Sequence, residues 1–413
     1  MPEARELKNS IVAACSLLIA VPVQAQQQPP PIGIAPVTLG SEPYVFDTAE
    51  QHKIKVTVLA KGFARPFAIE FLPGGDLLIV ERGAGIRLLS GATGPSPALA
   101  GELVAGMPQP GEGPFSLGVQ DIALHPQFAT NGWLYFTYND PAPRPEGDTR
   151  VPNQRFASFK LMRGKLEGGR LSDVETLIAG EAAPALGSRI AFDQDGKVYA
   201  TTGGAFGDSS QDLGSIYGKV LRLNPDGTVP EDNPFVGRTD ANPAIYSYGH
   251  RDQHGLMVHP ETGAVLNAEH GMNGGDEVNV IRPGANYGWP TYTFSRQYDG
   301  AQGALPPAAG IERPLILWSP SIAPSGLMIY GGDRFPAWKG NLFVGSARRG
   351  EINSTGGLER VVLGAEMGDV RRETLLTELH QRVRDFAEGP DGLIYVLTDG
   401  NENAVLRIEP AAP

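Results

Sequence analysis

The sequence predicts an all-β fold, a six-bladed β-propeller, and three observations support this prediction. The chain has 53 Gly and 36 Pro but only 19% charged residues, a composition that favours many turns and few long helices. Six segments share one pattern, which is a strand, a Pro/Asp/Gly turn and a second strand. The sixth segment closes the chain, as a ring of blades requires. A two-sheet sandwich built of hairpins is the alternative.

The repeated segments recur at irregular intervals, which fits blades separated by insertions better than the tighter period of a solenoid. In the third segment Ile190 and Phe192 alternate before an Asp195-Gly196 turn, and the alternation resumes at Val198, as in a β-hairpin. This hairpin is therefore scaffold, and functional residues are expected in the loops beside the repeats. The six segments begin at Phe67, Gln120, Ser188, Gly255, Gly326 and Arg384.

The N-terminal sequence predicts export. Residues 1–25 form a signal peptide, with a charge at Lys8, an apolar run too short to span a bilayer and a VQA cleavage sequence. Residues 26–50 follow as a Gln/Pro-rich linker and N-terminal segment, and residues 51–413 form the propeller domain. A periplasmic or secreted protein without a stable membrane span is expected. A lipoprotein cleavage box around Cys15, the single cysteine of the chain, is the alternative.

The charge distribution restricts the partners. A net charge of −12 argues against a nucleic-acid partner, because phosphate binding needs a basic face. Arg382 and Arg384 alternate and so share one face of a strand. Together with Arg348, and with Arg251 from another repeat, they predict a pocket for a ligand with several carboxylates. A surface salt-bridge face is the alternative.

The stretch 246–290 contains four of the seven histidines. Their spacing matches no standard zinc or iron motif, so turn backbone is favoured as their partner over a metal. The sequence HGMNGGDE within this stretch differs, because its glycines expose backbone oxygens before the acidic pair Asp276-Glu277. Hard oxygen donors of this kind suit calcium. A turn with a solvated acidic pair is the alternative.

Five motifs resemble a known enzyme family. The sequence is similar to the soluble pyrroloquinoline quinone (PQQ)-dependent sugar dehydrogenases, the glucose/sorbosone dehydrogenase family, and within it to the aldose dehydrogenase branch, from about Lys55 to Pro410. The motifs are YGHRDQHGL, EHGMNGGDEVNVIRPGANYGWP, WSPSIAPSG, GNLFVGSARRG and RVRDFAEGPDGLIYVLTD. The resemblance implies a six-bladed propeller with PQQ over the channel mouth and calcium beside it. It also implies oxidation of an aldose at the anomeric hydroxyl to a lactone by hydride transfer to the quinone, with a separate electron acceptor.

The resemblance assigns roles to the basic residues. Arg251 matches the family's arginine that contacts the reactive quinone oxygens. Arg382 and Arg384 match the pair that binds the cofactor carboxylates, and Arg348 replaces a lysine in the same role. Ser321 stands where the family usually has threonine.

The resemblance also assigns the metal sites. His270, Gly271 and Met272 match residues at the cofactor, and the carbonyls of Gly271 and Met272 match those that hold its calcium. Glu277 and Tyr287 match a separate structural calcium site.

One departure from the family affects catalysis directly. Family members carry a histidine four residues before the arginine that matches Arg189, and its imidazole removes the proton from the sugar hydroxyl. Here that position is Ala185, which cannot accept a proton. No histidine lies between His125 and His250, so no small shift of the alignment restores the base.

Other departures lie nearby. Ser116 replaces a glutamine, Gly204 an aspartate and Asp252 an asparagine. Two interpretations follow: a PQQ-dependent dehydrogenase that uses another base, with Asp252, Asp208 and Glu181 as candidates, or a non-catalytic or weakly active propeller that binds quinone or sugar. A calcium-dependent propeller lactonase is a third interpretation, but it leaves the arginines unexplained.

Overall fold

The structure is a computed structural model that describes residues 34–35, 37–50, 52–109, 117–149, 155–305, 308–364, 367–400 and 402–411. The predicted signal peptide and Ser116 lie outside these residues. The described residues form six antiparallel sheets arranged as blades, with one four-residue α-helix and two short 3₁₀ helices. No helix in the described ranges combines the length and apolar character needed to cross a membrane.

The first half of the chain supplies two leading strands and three blades. The leading strands are β1 (Tyr44–Asp47) and β2 (Lys53–Lys61). Blade one contains β3 (Pro66–Phe71), β4 (Leu77–Glu81), β5 (Gly85–Ser90) and β6 (Ala98–Leu103). Blade two contains β7 (Gly118–Leu124), β8 (Trp133–Ala142), β9 (Phe156–Glu167) and β10 (Arg170–Pro184), with α1 (Phe128–Asn131) between β7 and β8. Blade three contains β11 (Ile190–Phe192), β12 (Val198–Thr202), β13 (Lys219–Leu223) and β14 (Ile245–Tyr248).

The second half supplies the other three blades. Blade four contains β15 (Asp252–Val258), β16 (Val265–His270), β17 (Asp276–Ile281) and β18 (Ile316–Trp318). Blade five contains β19 (Pro324–Ile329), β20 (Leu342–Ser346), β21 (Gly357–Leu363) and β22 (Asp369–Leu375). Blade six contains β23 (Arg382–Glu388), β24 (Ile394–Asp399) and β25 (Ala404–Pro410). The 3₁₀ helices are Pro336–Trp338 and Thr377–Leu379.

Strand β2 closes the ring. It pairs along its length with β25, from Ile54 opposite Pro410 to Lys61 opposite Ala404, so blade six joins the two ends of the domain. Strand β1 adds a fifth, outermost strand to this blade. The six-bladed propeller is confirmed, and the hairpin sandwich is wrong. Each predicted repeat forms the first two strands of one blade.

Apolar side chains fill the space between blades. Between blades two and three, for example, the buried Tyr135 and Phe159 pack with Val198 and Leu221. Because each sheet is covered on both faces by its neighbours, the period-2 pattern of the strands is weak, and strands such as β4 and β20 are buried throughout.

The inner strands share one irregularity near the start of the strand. A β-bulge interrupts five of them, β3, β7, β15, β19 and β23, where one extra residue faces the paired strand. Bulges re-aim side chains. The residues at these bulges include Phe67, Gln120, His254, Ser325 and Arg384, and they form the layer of the channel just inside one mouth.

Arg189, which precedes β11, crosses this layer and joins the blades. It is 4% exposed, and its Nη1 lies 3.1 Å from an oxygen of Asp121 and 3.3 Å from one of Asp385. Its Nε and Nη2 donate to the carbonyls of His254, Ser325 and Arg384. One guanidinium thus connects five blades, and Asp385 also accepts from the backbone N–H of Ile69 in blade one.

Replacing Arg189 by methionine is expected to lower the free energy of unfolding by roughly 3–5 kcal/mol, because Asp121 and Asp385 would remain buried without a cation. Arg238→Met, which removes an exposed pair with Asp240, is the matched control and is expected to cost no more than about 1 kcal/mol. Urea unfolding of both variants measures the difference. Equal small losses would show that Arg189 does not hold the blades together.

Candidate active site

The predicted site residues converge on one mouth of the channel. The inner strands run in the same direction, so their first residues and the last residues of the second strands meet at this mouth. Pro324 pairs with Ser346, and Arg382 pairs with Asp399, at this edge of blades five and six. The predicted residues Arg251, His270, Gly271, Ser321, Arg348, Arg382 and Arg384 all lie within three residues of these strand ends.

Arg251 is buried, and no carboxylate of the described residues forms an ion pair with it. It is 8% exposed, its Nη1 donates to the carbonyls of His270 (3.1 Å) and Gly271 (2.8 Å), and its Nε has no hydrogen-bond partner in the described ranges. The guanidinium lies over the Trp289 ring at 5.2 Å and 3.5 Å from the Tyr298 hydroxyl. A desolvated guanidinium that donates its hydrogen bonds to neutral carbonyl oxygens, with only the charge of the adjacent Asp252 acting on it, favours an anionic or electron-rich ligand.

Arg382 and Arg384 converge on one carboxylate. The bulge at Arg384 breaks the simple alternation predicted for this strand, yet both side chains reach Asp399, with N–O distances of 3.0 and 2.9 Å. Burial alone would raise the pKa of Asp399, but Arg384 and Arg382 outweigh it and hold that pKa below its ordinary value. Two cations therefore share one anion, and an excess of positive charge remains at the mouth.

The two arginines after β20 diverge. Arg349 binds Glu359 and Thr374 within the blade-five sheet, so it is a structural residue. Arg348 is partly exposed, and its nearest carboxylate is that of Glu351 at 4.0 Å. The sequence prediction that Arg348 belongs to the ligand-binding group therefore fits its position at the mouth, whereas the salt-bridge interpretation describes Arg349.

Asp276 organises the loop that carries Gly271. It is fully buried and accepts from the backbone N–H of Gly271 (2.9 Å) and from the hydroxyl of Ser321 (2.6 Å). It also accepts from the N–H groups of Ile322 and Ala323. A carboxylate with four donors is neither solvated nor available to a metal. Its role is to fix Ser321 and Gly271 beside each other.

A buried carboxylate pair lies next to this loop. Glu269 accepts from the Arg251 backbone N–H and from Asn279, which also donates to Glu277. Burial, and next the charge of Glu269, raise the pKa of Glu277 well above its ordinary value. Asn279 Oδ1 is buried and has no hydrogen-bond partner among the residues that the structure describes. Two facing carboxylates and a free amide oxygen are the hard donors that calcium prefers, so these residues fit a calcium ion.

Tyr287 borders the same pocket but does not point its hydroxyl at it. The phenol donates to the Val280 carbonyl (2.6 Å) and accepts from the Arg282 N–H, while the ring stacks on His250 at 4.5 Å. The backbone oxygen is therefore the only atom of Tyr287 that could contribute to a metal. The oxygen of Gly271, likewise, already accepts from Arg251 and has one lone pair left for a cation.

Position 185, where the family has its histidine base, is buried and tightly surrounded by other residues. Ala185 is 4% exposed, its N–H donates to the Arg155 carbonyl, and its methyl group packs with Leu117 and Ala157 of blade two. The aspartate that Gly204 replaces cannot fit either, because a Cβ there would lie 2.5 Å from the Cα of Gly218. Both departures from the family are therefore built into the packing of this loop.

Asp252 is paired with His254, a contact that was not predicted from the sequence. Its carboxylate lies 3.3 Å from His254 Nε2, and the His254 ring stacks on His270 at 4.3 Å. Burial would raise the pKa of Asp252, but His254, His270 and Arg251 outweigh it and lower that pKa. Burial and His254 lower the pKa of His270 to about 4. The surroundings thus favour the ionised form of Asp252 and the neutral form of both imidazoles.

The other candidate bases lie apart. Asp208 is exposed and borders an open cleft of about 370 Å³ that Met272 and Trp289 also line. Glu181 lies on β10, the outermost strand of blade two, and accepts from Ser215. Of the three, Asp252 is the one attached to Arg251 in the chain, and Asp208 is the one that faces open space.

The four histidines of stretch 246–290 do not form one site. His254 and His270 meet, whereas His250 binds Ser247 and Glu269, and the ring of His259 accepts from nearby turn N–H groups. Asp252, His254 and His270 place three possible ligand atoms within 4.8 Å of one another. The two rings, however, are within 23° of parallel, so their in-plane lone pairs do not converge on one ion.

Three residues at the mouth were not predicted from the sequence to belong to the site. Glu269 faces Glu277 across the calcium-like pocket, His254 faces Asp252, and Arg82 lies beside Arg384. The sequence did contain a pattern that could have identified Arg82. It lies just after the second strand of blade one, and Arg348 lies just after the second strand of blade five. Glu269 and His254 carried no such signal, because their partners come from other strands or from a bulge.

The fold and site define a six-bladed propeller whose mouth suits a ligand with several negative charges beside a hard cation. The chain belongs to the glucose/sorbosone dehydrogenase family, whose model matches residues 63–407. It is 32% identical to the aldose sugar dehydrogenase YliI of Escherichia coli over 371 residues, covering 86% of this chain and 93% of that protein.

Solved structures agree with this assignment. The apo-form of the soluble aldose sugar dehydrogenase from Escherichia coli superposes with a TM-score of 0.74 and 29% identity, covering 87% of this chain and 100% of that one. The PQQ-bound aldose sugar dehydrogenase of Streptomyces coelicolor gives a TM-score of 0.64 and 27% identity, covering 91% and 99%. The resemblance inferred from five motifs is thereby confirmed.

Proposed function

We propose that this protein is a PQQ-dependent aldose dehydrogenase that oxidises the anomeric hydroxyl of a sugar to a lactone. The observation that carries the proposal is the convergence of Arg251, Arg382 and Arg384 from two blades at one mouth, in excess over their carboxylate partners. A ligand with several carboxylates and an electron-rich quinone matches this charge. The related enzyme from Streptomyces coelicolor is described as binding PQQ.

When bound, the quinone supplies an acceptor for the hydride of the anomeric carbon. The residues of this chain would bind and orient it: Arg382, Arg384 and Arg348 would hold its carboxylates, and Arg251 would hold the quinone oxygens and stabilise negative charge that develops there. Ser321, fixed by Asp276, offers its hydroxyl oxygen at the same mouth. His270, Gly271 and Met272 would border the cofactor, and the oxygens of Gly271 and Met272 would hold its calcium. A separate electron acceptor of undefined class would be needed to reoxidise the cofactor.

The site lacks the histidine that accepts the proton in the family, so another residue must take this role. We assign Asp252 the role because it is ionised and adjacent to Arg251, with His254 as the group that orients it. Its lowered pKa makes it a poor base compared with an imidazole near neutral pH. The closed site at Ala185 favours the second candidate function, a propeller that binds quinone or sugar with little turnover. The predicted signal peptide, residues 1–25, places either function in the periplasm or outside the cell.

Reconstitution tests the proposal. Purified apoprotein is mixed with PQQ and calcium, and the cofactor absorbance is followed while a panel of aldoses is added. Reduction of bound PQQ by at least one aldose, with lactone as product, supports a dehydrogenase. Tight PQQ binding without reduction supports the binding function. Absence of PQQ binding would refute the dehydrogenase, and absence of both PQQ and aldose binding would refute the binding function as well.

Calcium is expected to stabilise the protein through Glu277. Binding of the ion between Glu269 and Glu277 supplies the positive charge that these two buried side chains lack, so calcium at 100 times its Kd is expected to add about 2.7 kcal/mol to the free energy of unfolding. Glu277→Gln is expected to remove this gain while leaving the calcium-free protein at least as stable. Thermal unfolding with and without a chelator measures both. A full calcium response in Glu277→Gln would place the ion elsewhere.

A further inference from the structure

Arg82 lies at the mouth in a position equivalent to the predicted ligand-binding residues. It directly follows β4, the second strand of blade one, as Gly271 directly follows β16, and Arg348 lies one residue farther along, as the second residue after β20. Pro66 pairs with Glu81, so the start of the inner strand and Arg82 share the same edge. The six-fold repeat of the propeller thus brings Arg82 into the ring of residues that surrounds the mouth.

Phe67 holds three guanidinium groups together at this edge. Its ring is fully buried, and the guanidinium carbons of Arg82, Arg189 and Arg384 lie 4.2, 5.0 and 5.4 Å from its centroid. Cation–π attraction offsets part of the repulsion among them. The His254 ring contacts the same phenyl group edge-on at 5.9 Å.

The charges around Phe67 are not balanced. Asp121 and Asp385 pair with Arg189, and Asp399 pairs with Arg384 and Arg382. Within the described part of the chain, no carboxylate pairs with Arg82, and its buried Nε has no hydrogen-bond partner. Burial, and then the charge of Arg384, lower the pKa of Arg82 to about 9. The Arg82 guanidinium therefore adds positive charge at this edge that no described carboxylate neutralises by an ion pair.

We propose that Arg82 is a further anion-binding residue of this mouth, which acts with Arg382 and Arg384 on the carboxylates of the cofactor. The proposal deepens the proposed function and rests on it for the identity of the ligand. The Arg82 guanidinium, whose Nε–H has no partner among the described residues, can offer a carboxylate the two parallel N–H donors of a bidentate contact. In the protein without ligand, by contrast, its main contact is the face of Phe67.

Isothermal titration of PQQ into the calcium-loaded apoprotein tests this role. Arg82→Gln is expected to weaken PQQ binding by on the order of 10- to 100-fold, as for the loss of one charge-assisted contact, and Arg82→Lys by less, because it keeps the charge. Arg87→Gln is the matched control from the same blade. Arg87 pairs with the buried Glu81 through its Nε at 2.6 Å, so this variant is expected to lose stability but not PQQ affinity.

Two further measurements separate ligand binding from structure and from the identity of the cofactor. Without ligand, Arg82→Gln is expected to be as stable to urea as the wild type or more stable, because like-charge repulsion is removed. Benzene-1,3,5-tricarboxylate serves as a second probe. If the wild type binds this probe but not PQQ, and Arg82→Gln binds it more weakly, the anion site stands and the cofactor assignment fails. Unchanged PQQ and probe affinities in Arg82→Gln, binding of neither by the wild type, or destabilisation of the ligand-free variant would overturn the proposal.

Discussion

Replacing Arg382 and Arg384 together by glutamine is expected to weaken PQQ binding by on the order of 10²- to 10⁴-fold, because each charge-assisted hydrogen bond contributes about 1.5–3 kcal/mol. The loss has a second source. Asp399 would remain at the mouth without either cation and would repel a ligand that carries carboxylates. Equilibrium titration with PQQ, followed by quenching of tryptophan fluorescence, measures the effect.

Asp399 provides the control for this experiment. Adding Asp399→Asn to the double variant removes the unpaired carboxylate, so fold stability is expected to return while PQQ binding stays weak. Asp399→Asn alone leaves both arginines free, and its PQQ affinity is expected to equal or exceed that of the wild type. If the double variant binds PQQ normally, the arginine-rich mouth is not the cofactor site.

The sequence was sufficient for the architecture because the information is local and repeated. Each blade begins with a hairpin whose turn residues are readable, and six copies of it predict the ring. The pairing of β2 with β25 could also be anticipated, since ring closure needs a strand from the other end. The fifth strand of blade six could not, because Tyr44–Asp47 has only four residues and lies outside the six repeated segments.

The site was predicted less completely, for two physical reasons. A bulge shifts the side chains that follow it, so Arg384 and His254 reach into the channel in a way that simple alternation does not describe. Contacts between blades also join residues far apart in the sequence. Gly204 lies against Gly218, so glycine is required at position 204 by a neighbour that no local pattern identifies.

The clustering of arginines in an acidic chain was enough to predict a role in ligand binding. It was not enough to predict which of them pair with carboxylates of the protein. Arg348 and Arg349 are adjacent, yet one is partly exposed at the mouth and the other binds Glu359 inside the sheet. Asp276 and Glu277 are adjacent as well, and strand alternation sends the first to four donors and the second to Glu269. In each of these two pairs of adjacent residues, the position of the residue along the strand decides whether its side chain contacts other protein groups or faces the proposed ligand site.

Ala185→His is expected to raise kcat for aldose oxidation by on the order of 10²-fold or more, because a general base typically contributes 10²- to 10⁴-fold. PQQ affinity is expected to change little, since binding rests on the arginines. The rate is also expected to acquire a titration near the ordinary imidazole pKa of about 6.5, with activity lost as the pH falls and the imidazole is protonated. Stopped-flow reduction of bound PQQ at several pH values measures all three effects.

The packing around Ala185 determines how this experiment must be controlled. Its methyl group contacts Leu117 and Ala157, so a ring at this position displaces neighbours and is expected to cost about 1–3 kcal/mol of stability. Ala185→Phe introduces similar bulk without a base and is expected to lose the same stability without any gain in kcat.

Asp252→Asn in the wild-type background completes the comparison, because it should abolish residual turnover if Asp252 is the present base. If the wild type already oxidises aldoses rapidly and Ala185→His does not accelerate it, the loss of the histidine has been compensated by another group, and the low-turnover interpretation is wrong.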